Sequence, residues 1–241
     1  MDYIRKKWGL SVLVDEDLLF DTFCSGEYLK TGFQKYNVDI HAIKHVVISH
    51  EHWDHTGGLW YILEHNNDVN VYLCSRFSNA FRKRVKNYSC TVHEVIKPVP
   101  IKENIYSSGE MEGRYSEKSI YEQSLIVKKD NKIAVITGCS HPGILNILSQ
   151  VISIHNEKIN LLLGGLHLIN KSMEDILEIS SDIENIYNIE QIAPFHCTSH
   201  RAIKYLKKNL SPGLITIHAG DSFDFNNELS SWEWNKKNKI N

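Results

Sequence analysis

The 241-residue sequence predicts an α/β sandwich, two mixed β-sheets packed face to face with helices on the outside. Three observations lead there. Apolar strand-like runs dominate the first part of the chain, and the second part alternates amphipathic helices with strands. Nothing reads as a linker, so residues 1–241 are expected to form a single domain. Histidines recur where strands end, and strand-end loops are where layered folds build their sites.

The elements follow in order. Gly9 to Val14 reads as a strand, Asp15-Glu16-Asp17 as a turn and Leu18-Leu19-Phe20 as the returning strand of a hairpin. Asp21-Thr22 closes it. Tyr28 to Tyr36 is helical. His45 to Ile48 is a short buried strand that runs into His50-Glu51-His52-Trp53-Asp54-His55, with Asp54 and His55 in a turn. Thr56 is the expected N-cap of the helix continuing to His65. Val69 to Cys74 alternates like a strand, and Arg76 to Lys86 is helical. Its Arg82, Lys83, Arg84 and Lys86 are expected to form a solvated face, against the sharper reading of an anion or nucleic-acid contact.

Residues 88–120 are the least regular, with strand-like pieces around Val92 and Ile105. Such a stretch beside a site is expected to form a lid or substrate wall, with Tyr106, Met111, Arg114 and Tyr115 as possible contacts and a solvated hairpin as the plainer alternative. Glu122 to Val127 and Lys132 to Thr137 make a hairpin leading to Gly138-Cys139-Ser140-His141-Pro142-Gly143. Pro142 suits the first residue of the following helix, which runs to His155 with an amphipathic spacing. Ile159 to Leu163 is a buried strand before Gly164-Gly165-Leu166-His167. Then come a helix from Met173 to Tyr187, a strand Gln191 to Phe195 ending at His196, a helix Arg201 to Lys208 and a last strand Leu214 to His218. The polar tail 226–241 is expected to be loosely held.

Composition narrows the function. A net charge of −2 argues against a dedicated binder of nucleic acid or membrane surface. Five scattered cysteines make a disulfide framework unlikely and fit a reducing cytoplasm. No apolar run approaches the roughly 20 residues that span a bilayer. The expected partner is a small molecule, and the sequence does not set the oligomeric state.

The chemistry lies in the histidines. His50 and His52 sit at period two, so at a strand end both imidazoles point the same way. With Asp54 and His55 they give three imidazoles and a carboxylate within six residues, a donor set suited to zinc, iron or manganese. Burying those rings without a partner is costly, and a metal removes the cost. Later strand ends add His141, His167 and His196. Cys139 and Cys197 adjoin two of these histidines. They are expected to be small buried packing residues, with a thiolate ligand as the alternative.

The pattern H-x-H-x-D-H after an apolar strand and before T-G-G resembles the metallo-β-lactamase superfamily of metal-dependent hydrolases and relatives. The ordered set L-F-D-T, S-H-E-H-W-D-H-T-G-G-L, E-Q-S-L, T-G-C-S-H-P-G-I, L-G-G-L-H-L and A-P-F-H-C-T covers most of the chain. It resembles the branch that includes the 7,8-dihydropterin-6-methyl-4-(β-D-ribofuranosyl)-aminobenzene 5′-phosphate synthases. The resemblance implies an αββα fold and two divalent metal ions, zinc first. His50, His52 and His141 would hold one ion, and Asp54, His55 and His196 the other. Asp54 would also orient or deprotonate the attacking water, and Asp21 would support the ligand histidines from behind. His167 would be either a ligand or a substrate-facing group, since the strand end that often carries a bridging Asp has none here. The branch activity joins a dihydropterin diphosphate to a ribofuranosylaminobenzene phosphate with loss of diphosphate, so the implied substrate is small and anionic, and the reaction is hydrolysis or transfer. Two departures bear on substrate binding: Lys7-Trp8-Gly9 stands where the branch has E-H-G, and His196-Cys197-Thr198-Ser199 where it has H-C-T-G. The branch also implies a strand before the first hairpin, for which this chain leaves little room. The competing readings are a non-catalytic metal-containing ligand or redox sensor, and a nuclease of the same fold, which would be expected to show a basic groove.

Overall fold

The computed structural model describes residues 8–210 and 213–222. The expected loose tail, residues 226–241, lies outside them, as does Lys7.

Among the described residues, two sheets carry the fold. The first has the order β1 (Val12–Val14), β2 (Leu18–Phe20), β3 (His45–Val47), β4 (Asn70–Cys74), β5 (Thr91–Val95). The β1–β2 hairpin is antiparallel, and β2 to β5 run parallel. The second sheet has seven strands: β14 (Gly213–Leu214), β13 (Gln191–Pro194), β12 (Ile159–Gly164), β11 (Lys132–Thr137), β10 (Leu125–Lys129), β7 (Ile105–Ser107) and β6 (Val99–Lys102). Its β11 to β14 are parallel. A separate hairpin pairs β8 (Met111–Tyr115) with β9 (Lys118–Glu122).

The layering follows from side-chain alternation along the strands. In β11, Ile133 and Val135 face the helices α5 (Ile144–His155), α6 (Met173–Asn185) and α7 (His200–Asn209), packing on Leu148, Ile176 and Leu206. Their neighbours Ala134 and Ile136 point the other way. There they meet Phe20, Val47 and Tyr72 of the first sheet. The outer face of that sheet, Val46, Ile48 and Val71, is covered by α1 (Gly26–Tyr36), α3 (Leu59–His65) and α4 (Asn79–Lys86). The result is helix, sheet, sheet, helix, as the sequence predicts.

Several local expectations change. Residues 88–120 are mostly strand: β5 to β8 and the start of β9 lie in them, and Tyr106 is paired within its sheet instead of facing a site. Glu122 ends β9, and the chain bends at Gln123-Ser124 before β10, so the expected strand Glu122 to Val127 is broken in two. Asp54 and His55 lie in the four-residue helix α2 (Trp53–Thr56) instead of a turn. Thr56 closes that helix, donating to the His52 carbonyl at 3.0 Å, and α3 is capped by Gly58 without a side-chain bond. Pro142 lies in the turn before α5, whose N-cap is Gly143. The last expected strand reduces to Gly213–Leu214. The basic cluster on α4 is spent on the fold: Arg82 and Lys86 both pair with Glu94, and the Arg84 guanidinium lies 3.5 Å over the Trp60 ring.

Candidate metal centre

The carboxyl ends of β3, β11, β12 and β13 meet at one edge of the sandwich, and each is followed by histidine-bearing turns. From the first sheet come Ser49, His50 and His52, then Asp54 and His55 on α2. From the second come His141 after β11, His167 after β12 and His196 after β13.

The rings converge. His50 Nε2 lies 3.1 Å from His52 Nδ1, and the His141 ring packs 4.6 Å from His50 and 4.9 Å from His52. Beside this group His55 Nε2 stands 3.1 Å from His196 Nε2, with Asp54 Oδ2 at 3.3 Å from His196 and 3.7 Å from His55. The His50 and His55 rings, 4.1 Å apart, join the two groups. Every residue expected to hold metal is therefore in one place. The His167 ring lies 4.5 Å from His141, tilted by 47°, and its buried Nδ1 has no hydrogen-bond partner.

The second nitrogen of three rings is already committed. Asp21 is fully buried; its Oδ1 accepts from the Ser49 N–H and its Oδ2 from the Ser49 hydroxyl, both at 2.7 Å, and Oδ2 also accepts from His55 Nδ1 at 2.6 Å. With its proton given to Asp21, Ser49 Oγ accepts from His50 Nδ1 at 2.8 Å. Glu122 takes the Cys139 and Ser140 N–H groups on Oε1, and the His141 N–H and His141 Nδ1 on Oε2, all at 2.8–2.9 Å. His50, His55 and His141 are thereby held as tautomers with a bare Nε2 turned to the centre, the arrangement that orients metal-binding histidines.

Protonation agrees. Burial, then the neighbouring rings, push His50 well below its usual pKa, and burial with His141 nearby brings His52 to about 4. Both are neutral donors at neutral pH. Burial opposes the Asp54 charge, but the hydrogen bond from His196 and the nearness of His55 outweigh it and keep the carboxyl below its ordinary value. Burial also raises Asp21 and opposes a charge on His55; Asp21 beside that ring more than reverses the effect on His55. Imidazole nitrogens brought within 3.1 Å of one another, with His50, His55 and His141 bonded behind through their second nitrogen, make a poor hydrogen-bond network and a good fit to divalent metal.

Backbone strain marks the same place. Asp21, Ser140, His167 and His196 have φ of 59°, 65°, 50° and 55°, a left-handed region non-glycine residues seldom adopt. Phe23, directly after Asp21-Thr22, also keeps that conformation at 62°. At Gly165 a Cβ would lie 2.6 Å from Cys197 Sγ and 2.5 Å from the Gly138 carbonyl, so only glycine lets these strand ends close.

Of the residues expected along a substrate wall, Tyr115 fits. The β8–β9 hairpin sets its half-exposed ring 4.5 Å from His52. Trp8 lies 4.9 Å from the His196 ring. Tyr106 instead packs against His155, Met111 leans on the core under α5, and Arg114 is exposed. Sequence reasoning assigned no role to Glu122 or Ser49. The signal for Glu122 was a carboxylate at the edge of an apolar strand, in a motif quoted only for its likeness. Cys139, expected to be packing, has its sulfur facing the rings, 3.4 Å from His55 Nε2.

This fold and this donor set define a metallo-β-lactamase-like protein, and comparison with known proteins agrees. The model of the metallo-β-lactamase superfamily matches residues 9–114. A crystal structure described as a metal-dependent hydrolase of the β-lactamase superfamily is 30% identical, with a TM-score of 0.73 over 88% of this chain and 90% of that one. The chain belongs to the metallo-β-lactamase superfamily. It is also 24% identical to the 7,8-dihydropterin-6-methyl-4-(β-D-ribofuranosyl)-aminobenzene-5′-phosphate synthase of Methanocaldococcus jannaschii, over 90% of each chain. The fold protein YhfI of Bacillus subtilis superposes with a TM-score of 0.60 at 14% identity, covering 87% of this chain and 88% of that one.

Proposed function

We propose that the protein is a metal-dependent enzyme that works through a dinuclear centre on a small anionic substrate, with group transfer from a phosphorylated heterocycle ahead of simple hydrolysis. One observation carries this: two adjacent groups of donor atoms, each with ring nitrogens 3.1 Å apart, face a common space at the strand ends. His50, His52 and His141 would hold one ion, zinc first with iron or manganese as alternatives; Asp54, His55 and His196 would hold the other. A bound pair of divalent ions supplies Lewis acidity toward an anionic group and lowers the pKa of a coordinated water toward about 7.

The chain's own residues do the rest. Asp21 and Glu122 fix the ring tautomers, so no donor must reorient as substrate arrives. Of the three buried carboxylates around the centre, Asp54 alone keeps an oxygen beside the converging nitrogens, and its lowered pKa keeps it ionised to take a proton there. Tyr115 packs edge-wise on His52 and Trp8 lies tilted against His196, aromatic walls at two points of the centre that suit a flat heterocycle. The name of the Methanocaldococcus relative supports a pterin-like ring and a phosphate. Among the described residues the five cysteines form no disulfide, which suits the cytoplasm.

Purified protein is expected to hold close to two equivalents of zinc, iron or manganese. It should release diphosphate from a dihydropterin diphosphate offered with a ribofuranosylaminobenzene phosphate. His52→Ala should abolish that turnover while keeping the fold. Full activity after complete metal removal would refute the proposal.

A further inference from the structure

We propose that Cys139 is itself a metal ligand, its thiolate shared between the two donor groups; this rests on the dinuclear reading above. Three clusters of ligand atoms within 4.8 Å of one another occur among the described residues: Cys139 with His50 and His141, Cys139 with His55 and His196, and Cys139 with His167 and Cys197. Cys139 is the one member common to all three. Its sulfur therefore sits at the junction of the two groups, 3.4 Å from His55 Nε2.

The position is built. Cys139 is 5% exposed, and its backbone N–H donates at 2.8 Å to Glu122, the carboxylate that also orients His141. Ser140, the next residue, pays a left-handed φ of 65° and donates its hydroxyl to the Gly165 carbonyl at 2.6 Å. The Cys197 thiol donates to the Cys139 carbonyl at 3.3 Å. The strand end is tied from three sides with its sulfur toward the histidines.

Charge gives the reason. His50, His52 and His141 bring no negative charge, and the carboxylates of Asp21 and Glu122 are turned away and occupied by N–H and O–H groups. Asp54 serves the other group. Divalent charge in so buried a place needs an anion close by, and the Cys139 sulfur is the atom placed to give one to both groups. On metal binding the S–H bond breaks, a sulfur–metal bond forms and the proton goes to solvent; no electron is transferred. A thiolate donor shifts preference toward zinc or ferrous iron and away from manganese or magnesium.

X-ray absorption at the zinc edge tests this on the zinc-loaded protein. Wild type and Cys197→Ser are expected to show a sulfur neighbour at about 2.3 Å beside nitrogen and oxygen at about 2.0–2.2 Å. Cys139→Ser should lose the sulfur shell and keep the nitrogen. Zinc bound in wild type with nitrogen and oxygen only would overturn the role of Cys139 and leave the dinuclear reading standing. No zinc, iron or manganese bound at all would overturn both. Sulfur lost in Cys197→Ser would also overturn it. That variant decides the matter if Cys139→Ser does not fold, since Cys139 and Cys197 are the two sulfurs in these clusters.

Discussion

The two sheets feed the same centre in different ways. The first delivers His50, His52, Asp54 and His55 from one continuous stretch, the end of β3 and the short helix after it. The second delivers His141, His167 and His196 singly, from three neighbouring parallel strands. Each side has one fully buried carboxylate, used differently. Asp21 binds mainly side chains, reaching His55 directly and His50 through Ser49. Glu122 binds mainly backbone, taking three successive N–H groups and one ring nitrogen. Where donors are close in sequence, spacing sets their geometry and the carboxylate has only to choose tautomers. Where they come from separate strands, the chain itself must be bent into place. Of the candidate donors, His167 and His196 on this side carry left-handed φ values and His50, His52, Asp54 and His55 do not; on the first side that conformation falls on the supporting Asp21 and on Phe23.

The largest effect is expected at Asp21, because it supports one histidine in each donor group. Asp21→Asn should weaken both metal equivalents, by about 10–100-fold each, measured by competition with a chromophoric chelator. Loss of only one equivalent would break the picture of a common anchor.

Glu122→Gln should fall mainly on stability and on the His141 site. Burial opposes the Glu122 charge, but His141 and the surrounding N–H groups hold its pKa down to about 2 against an ordinary 4.5. That difference corresponds to about 3 kcal/mol of stability. It is present in full above pH 4.5 and is lost as the pH falls through about 2. Denaturant unfolding of the variant should be weaker near neutrality and approach wild type toward pH 2. An offset independent of pH would show that the charge is not what matters.

Tyr115→Ala leaves both carboxylates untouched. It should raise KM several-fold with metal content and melting temperature unchanged, read from steady-state kinetics on the preferred substrate. A fall in bound metal instead would move Tyr115 from substrate wall to support. The smallest effect is expected far from both sides. Arg82→Ala, which breaks a partly exposed pair with Glu94, should change stability by no more than about 1 kcal/mol and leave catalysis alone. A loss of turnover there would revive the anion-binding reading of that helix.

Residue order alone made legible the layered fold and the helix Ile144–His155, and it singled out the histidines that the strand ends bring together. These rest on short-range facts: the period of apolar residues, glycines where strands must close, and donors spaced along one loop. It determined less where regularity is supplied by a partner strand. Residues 88–120 look irregular alone and become strands once paired, β5 with β4 and β7 with β10 across the sheets, β6 with β7 and β8 with β9 in hairpins. What Glu122 and Cys139 face emerges in three dimensions. A carboxylate or a thiol has no period or spacing that reveals its partner. Its role follows from which backbone N–H groups and rings the fold brings within about 3 Å, the reach of a hydrogen bond.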